Sequence, residues 1–152
     1  LPLAGRQMQV VPGTGRRIEI AQDQIRVPGD AETVGRRLAT YFKHLARDHL
    51  AQASDRYAAD LGRPYSRLTL RDTRSRWGSC SSAAALMYSW RLVMAPPAVL
   101  EYVVAHEVAH LRHMDHSTAF WRQVQELYGP YEAPRNWLRE QGNGLHRFRF
   151  DG

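Results

Sequence analysis

The sequence predicts an α+β domain, and three observations carry that prediction. The chain has 152 residues, 43% of them hydrophobic and 24% charged, which suits one globular core of ordinary domain size. Short stretches of alternating polar and apolar residues occupy positions 7–29 and 67–93, the period of half-buried strands. Apolar residues then recur at helical spacing over 31–61, and a run over 98–111 is apolar on almost every side, the mark of a helix at the centre of a domain. The expected organisation is a single domain over residues 1–152: an N-terminal strand meander at 7–29, an α+β core at 31–140 and a loosely ordered tail at 141–152.

Each element has its own signal. Gln7–Val11, Arg17–Ile20 and Gln24–Val27 read as short strands separated by turns rich in proline and glycine, Pro12-Gly13-Thr14-Gly15 and Pro28-Gly29. Val34, Leu38, Tyr41, Phe42, Leu45 and Leu50 line one side of a helix that Gly62-Arg63-Pro64 ends. Arg67–Asp72 and Leu86–Val93 are read as two strands of a small antiparallel sheet, joined through the turn Arg76–Ser82. Pro96-Pro97 opens the apolar helix, as proline suits a first turn. Ser117 is placed to cap a further helix to about Tyr128, Gly129-Pro130 breaks it, and a last helix covers Ala133–Glu140.

Composition excludes several classes. A single cysteine, Cys80, excludes an internal disulfide framework and fits a reducing, cytoplasmic setting. No apolar stretch reaches the roughly 18 residues of a membrane span, and no signal peptide is visible. The start at Leu1 rather than Met points to a trimmed chain. There are 21 Lys and Arg against 15 Asp and Glu, a net +6, and Lys43 is the one lysine. Counting along the chain to Arg76 gives 14 basic and 8 acidic residues, with 7 of each beyond it. This excess is open to two readings: an anion-facing N-terminal half, or an arginine-rich surface without specific purpose. With no stacking stripe and no nucleic-acid module in view, the expectation is weak, non-specific binding of nucleic acid or nucleotide through arginines.

The apolar helix carries His106-Glu107-Val108-Ala109-His110. Histidines four apart share one helix face and can bind one metal ion, and Glu107, rotated by about 100°, can flank that ion as a general base. With 7 His and 7 Glu in the chain, chance supplies about 0.01 such matches. Burying these groups is costly unless they are paired or metal-bound. A zinc hydrolase needs a third protein ligand and one open position. His113 lies on the same face about 10 Å along the helix, far for one ion, so it is read as a supporting or surface residue. His116, past the expected helix end, is the third candidate. Asp115 either orients a ligand imidazole or caps a helix. Trp77-Gly78-Ser79-Cys80 lacks a separate base and is read as packing against the apolar helix.

Arg76-Trp77-Gly78-Ser79-Cys80, Trp90-Arg91-Leu92, Ala95-Pro96-Pro97, Tyr102–Leu111, His116-Ser117 and Phe120-Trp121, taken in order, resemble the YgjP-like metallopeptidase family, a relative of the SprT-like and WLM zincins. The likeness runs from about Thr73 to Leu138. It implies a zincin-like fold, zinc held at His106, His110 and His116, and Glu107 as catalytic base. Ser89 departs from the asparagine usual before Trp-Arg in that family.

The expected activity is peptide-bond hydrolysis by a zinc-activated water with Glu107 as base, on a peptide or protein substrate, with one zinc per chain. The segment Leu86–Val93 is the candidate cleft edge for an extended peptide, and Arg91 and Tyr131 are candidates to bind substrate at its oxyanion. Metal-dependent hydrolysis of a nucleotide phosphoanhydride and a DNA-associated protease are the alternatives.

Overall fold

A computed structural model describes residues 1–150. The long helix α1, Ala31–Leu61, begins where Asp30 accepts a hydrogen bond from the Thr33 amide at 3.0 Å and ends at Gly62, φ +76°. Glycine adopts that left-handed conformation without strain. Leu38, Phe42, Ala46, Leu50, Ala53, Tyr57 and Leu61 are buried along one stripe, spaced by three or four residues as an amphipathic helix requires. This stripe covers α2, Pro97–Ala109, which buries Val99, Leu100, Tyr102, Val103, Val104, Ala105, Val108 and Ala109. A helix so enclosed has little freedom to shift, and that makes it a rigid carrier for side chains.

Five short strands precede α1: β1 (Pro2–Leu3), β2 (Arg6–Gln7), β3 (Gln9–Pro12), β4 (Glu19–Ala21) and β5 (Gln24–Val27). After α1 come β6 (Arg67–Arg71), β7 (Gly78–Cys80) and β8 (Ala85–Ser89). The two three-stranded sheets repeat one topology. β5 lies between β3 and β4, and β8 lies between β6 and β7. In each, the central strand is antiparallel to the one just before it and parallel to the first. The expected meander and antiparallel pair are therefore mixed sheets. Up-down-up strands are wholly antiparallel only when adjacent in space, and here the third inserts between the first two. The inserted strands are the most apolar: Ile25 and Val27 are fully buried, as are Leu86 and Tyr88 or nearly so.

β8 stops at Ser89, and Trp90–Met94 forms a 3-10 turn that Ser89 caps through its hydroxyl to the Arg91 amide. The strand expected to reach Val93 ends there because both neighbours end: Arg71 faces Ser89 on one side, and Trp77 accepts from the Ser89 amide on the other. α3 (Thr118–Tyr128) and α4 (Glu132–Gln141) complete the core. The tail is ordered as far as it is described. Gly142–Arg147 forms a 3-10 turn. Leu145 and Phe150 are buried, and Phe150 meets the rings of Phe42 and Trp90 edge-on at 5.8 and 5.2 Å. No helix among the described residues is long and apolar enough to cross a membrane.

Candidate metal centre

α2 delivers His106 and His110 to one side of its last turn. The helix ends at Ala109, with His110 at its C-cap, so the chain turns away earlier than a helix to Leu111 allows. Residues 111–117 fold back, and His116 arrives just before Ser117, whose hydroxyl accepts from the Phe120 amide and starts α3. The ligand-capable nitrogens of His106, His110 and His116 all lie within 4.8 Å of one another. Tetrahedral zinc with nitrogen ligands asks for about 3.4 Å between them, within reach of small ring rotations.

The rings are held from behind. Phe120, fully buried, stacks on His110 at 4.3 Å and meets His106 and His116 edge-on at 4.9 and 5.1 Å. Nδ1 of His110 lies 2.8 Å from the main-chain oxygen of His113. A carbonyl only accepts, so Nδ1 carries the proton and Nε2 keeps its lone pair. His113 thus acts through its backbone. Asp115 accepts from the Ser117 amide at 3.4 Å, placing it in the turn before α3 rather than on an imidazole. Burial first, then the neighbouring His110 and His116, push His106 down to about 3. His110 is also lowered, chiefly by burial. Neutral imidazoles are the form a metal ion needs, so the donor set fits a borderline-soft divalent ion such as zinc.

Glu107 is 7% exposed and faces β7. Burial pushes its carboxyl up to about 8, against an opposing pull from Arg76. The approach is close enough to require Gly78: a Cβ there would stand 2.9 Å from Glu107 Cγ. A cavity of about 240 Å³ opens at this point, lined by Arg76, Gly78, Tyr102, His106, Glu107 and Leu138 among others. Cys80 sits nearby with its thiol pushed up to about 11 by burial and then by Glu107. It is therefore not a thiolate nucleophile at neutral pH.

The two substrate-binding candidates part company. Tyr131 stacks on Trp121 at 5.1 Å and on Tyr102 at 6.2 Å, and Tyr102 in turn meets His106 at 6.0 Å. It belongs to an aromatic wall one ring away from the histidines. Arg91 does not reach the centre. Its guanidinium is buried against Asp72 at 2.7 Å and donates to the carbonyls of Leu145 and Phe148 at 2.9 and 2.8 Å. It ties the tail to the core. The guanidiniums beside the centre are Arg76, which lines the cavity, and Arg135, which lies over Trp121 at 4.6 Å and helps to lower His106. Arg76 heads the Arg76–Cys80 stretch that carries the family resemblance, but neither guanidinium is marked as a site residue by local spacing, because each arrives from another element. β8, the strand expected at a cleft edge, is central, and the outer strand against α2 is β7.

An α+β scaffold with three convergent histidines and an adjacent buried glutamate defines a class, the metal-dependent peptidases. Residues 1–141 match the YgjP-like family, metallopeptidase domain, and the chain belongs to that family. It is thus a hydrolase acting on peptide or protein. No curated protein matches it. Among solved structures it is similar to the crystal structure of the metallopeptidase zymogen of Pyrococcus abyssi abylysin. The TM-score is 0.52 at 18% identity, covering 61% of this chain and 92% of that one, a likeness of fold.

Proposed function

We propose that this protein is a zinc peptidase in which His106, His110 and His116 hold one zinc ion and Glu107 is the general base. The observation that carries this reading is the convergence of three imidazoles within 4.8 Å, with Glu107 one residue away and its carboxyl enclosed by Gly78. Zinc on such a set polarises a carbonyl and acidifies water toward a pKa of about 7. A cation held beside Glu107 would counter the burial that raises its carboxyl pKa, and Glu107, so ionised, accepts a proton from water in the cavity and returns it to the departing amine. Its enclosure between α2 and β7 holds the carboxylate on line for both transfers.

β7 is the surface for an extended peptide. Trp77, Ser79 and Ser81 face β8 with their hydrogen-bonding groups: the Ser89 amide donates to Trp77 and the Ser81 amide to Ala85. By antiparallel alternation, Gly78 and Cys80 turn theirs outward. A substrate strand added there runs past Glu107. Tyr131, stacked on Tyr102, and Arg76, which lines the Glu107 cavity, are the candidates to meet an oxyanion. The test is a substrate panel of denatured protein, peptides and nucleoside triphosphates, run on zinc-loaded and chelator-treated protein with elemental analysis. Metal-dependent cleavage of peptide bonds alone is the expected result. Turnover confined to nucleoside triphosphates would replace this reading with the phosphoanhydride one.

A further inference from the structure

The arginine excess of the N-terminal half is not spread evenly over the surface. Arg36, Lys43 and Arg47 fall within about 40° of one another around α1 and span about 16 Å along its axis. All three are exposed. Facing them across an open cleft of about 660 Å³ and its extension are Arg71 and Arg74, from the end of β6 and the loop after it, and Arg149 from the tail. Asp72 is the one acid lining either cavity, and Arg91 already holds both of its oxygens. The floor is aromatic, with Trp90 beneath Lys43 at 5.7 Å. Glu32, one turn before Arg36, marks the acidic end of the stripe. Two walls of like charge thus face each other with one carboxylate of the protein between them, Asp72, already paired with Arg91, an arrangement that repels itself until something more negative lies in it.

We propose that this groove binds the phosphodiester backbone of a nucleic acid strand. Its length favours a strand over a nucleotide, since successive phosphates rise about 3.4 Å each in a duplex and the stripe spans several. Its composition is nearly all arginine, whose planar fork takes phosphate oxygens in pairs. A lipid surface is disfavoured because none of the exposed large hydrophobic residues, Ile20 and Met114, lines the groove. Phosphate contacts carry no base information, so binding is independent of sequence. The loop after β6 brings Arg74 to the groove and Arg76 to the Glu107 cavity, so a bound strand lies beside the catalytic cleft.

The experiment is fluorescence anisotropy of labelled single- and double-stranded oligonucleotides on the zinc-loaded full chain, from about 50 to 200 mM salt. Replacing Arg36, Lys43 and Arg47 together by alanine should weaken binding at least about tenfold and flatten the salt slope by about two units. A control triple, Arg6→Ala, Arg63→Ala and Arg122→Ala, removes the same charge from exposed sites off the groove and should cost under about threefold. Should the first triple fail to fold by circular dichroism, Arg74→Gln with Arg149→Gln tests the facing wall in the same way. Equal losses in groove and control variants would overturn the proposal in favour of net charge alone. Displacement by poly-glutamate or by anionic vesicles as readily as by unlabelled DNA would overturn it in favour of an acidic protein or a membrane.

Discussion

The proposed metal centre and the proposed arginine groove are assembled in opposite ways. His106, Glu107, His110 and His116 come from a short stretch of chain, one helix end and the loop after it. The groove draws Arg36, Arg71 and Arg149 from a helix, a strand and the tail. The first kind of site is built by local geometry, since a helical repeat sets two histidines on one face. The second exists only once distant elements pack. A local site also tolerates change elsewhere in the fold, whereas an assembled one depends on whatever ties its parts together. In this protein that tie includes Arg91, which anchors the tail carrying Arg149.

That contrast can be broken experimentally, and the largest effect is expected at the local site. His106→Ala or His110→Ala should abolish tight zinc binding and peptidase activity together, as measured by metal titration and elemental analysis. His116→Ala should also strip the ion, leaving too few protein ligands for a catalytic zinc site. Retention of stoichiometric zinc in the His116 variant would remove it from the proposed ligand set.

Glu107→Gln comes next. It should keep zinc and fold while losing a factor of 10² or more in turnover, on the scale of about 10²–10⁴ for a removed general base. Loss of zinc from that variant would make Glu107 a ligand instead. Gly78→Ala sharpens the point from the strand side. Its methyl would stand 2.9 Å from Glu107 Cγ, so the carboxylate must move, and a kcat loss of about ten- to a hundredfold should follow with zinc retained.

Arg91→Ala should act on stability rather than on chemistry. Removing the guanidinium strands the carbonyls of Leu145 and Phe148, and urea unfolding should show a loss of about 3 kcal/mol. Asp72 adds little because its side chain is 45% exposed. Turnover per zinc-loaded, folded molecule should be unchanged, and a kcat collapse in the folded variant would return Arg91 to the catalytic centre. The smallest effect is expected at His113→Ala. The contact to His110 is made by the His113 backbone oxygen, so removing the imidazole should leave zinc affinity within about twofold, far from the effect of losing a ligand.

What could be read without the fold follows the same division. The spacing of His106 and His110, the capping hydroxyl of Ser117 and the glycine-proline breaks are short-range signals, and short-range geometry is written in consecutive residues. The sheets were legible as strands but not as sheets. Alternation says that a segment is extended, while strand order is decided by which apolar strand the core encloses, and here β5 and β8 were drawn to the middle. For the same reason the outer strand beside α2 is β7 rather than β8.

Consecutive residues encode the chemistry available: an apolar helix bearing two histidines and a glutamate, a third histidine after it, and an excess of arginine before Trp77. Tertiary structure alone decided where that chemistry is used. It buried Arg91 as a tether, set Arg76 and Arg135 beside the histidines, shaped the Glu107 enclosure from Gly78, and drew scattered arginines into one groove. The physical reason is the range of the interactions. A helix turn, a cap and a tight turn are set by neighbours within about four residues, whereas burial, strand order and facing charges depend on segments that meet only when the core closes.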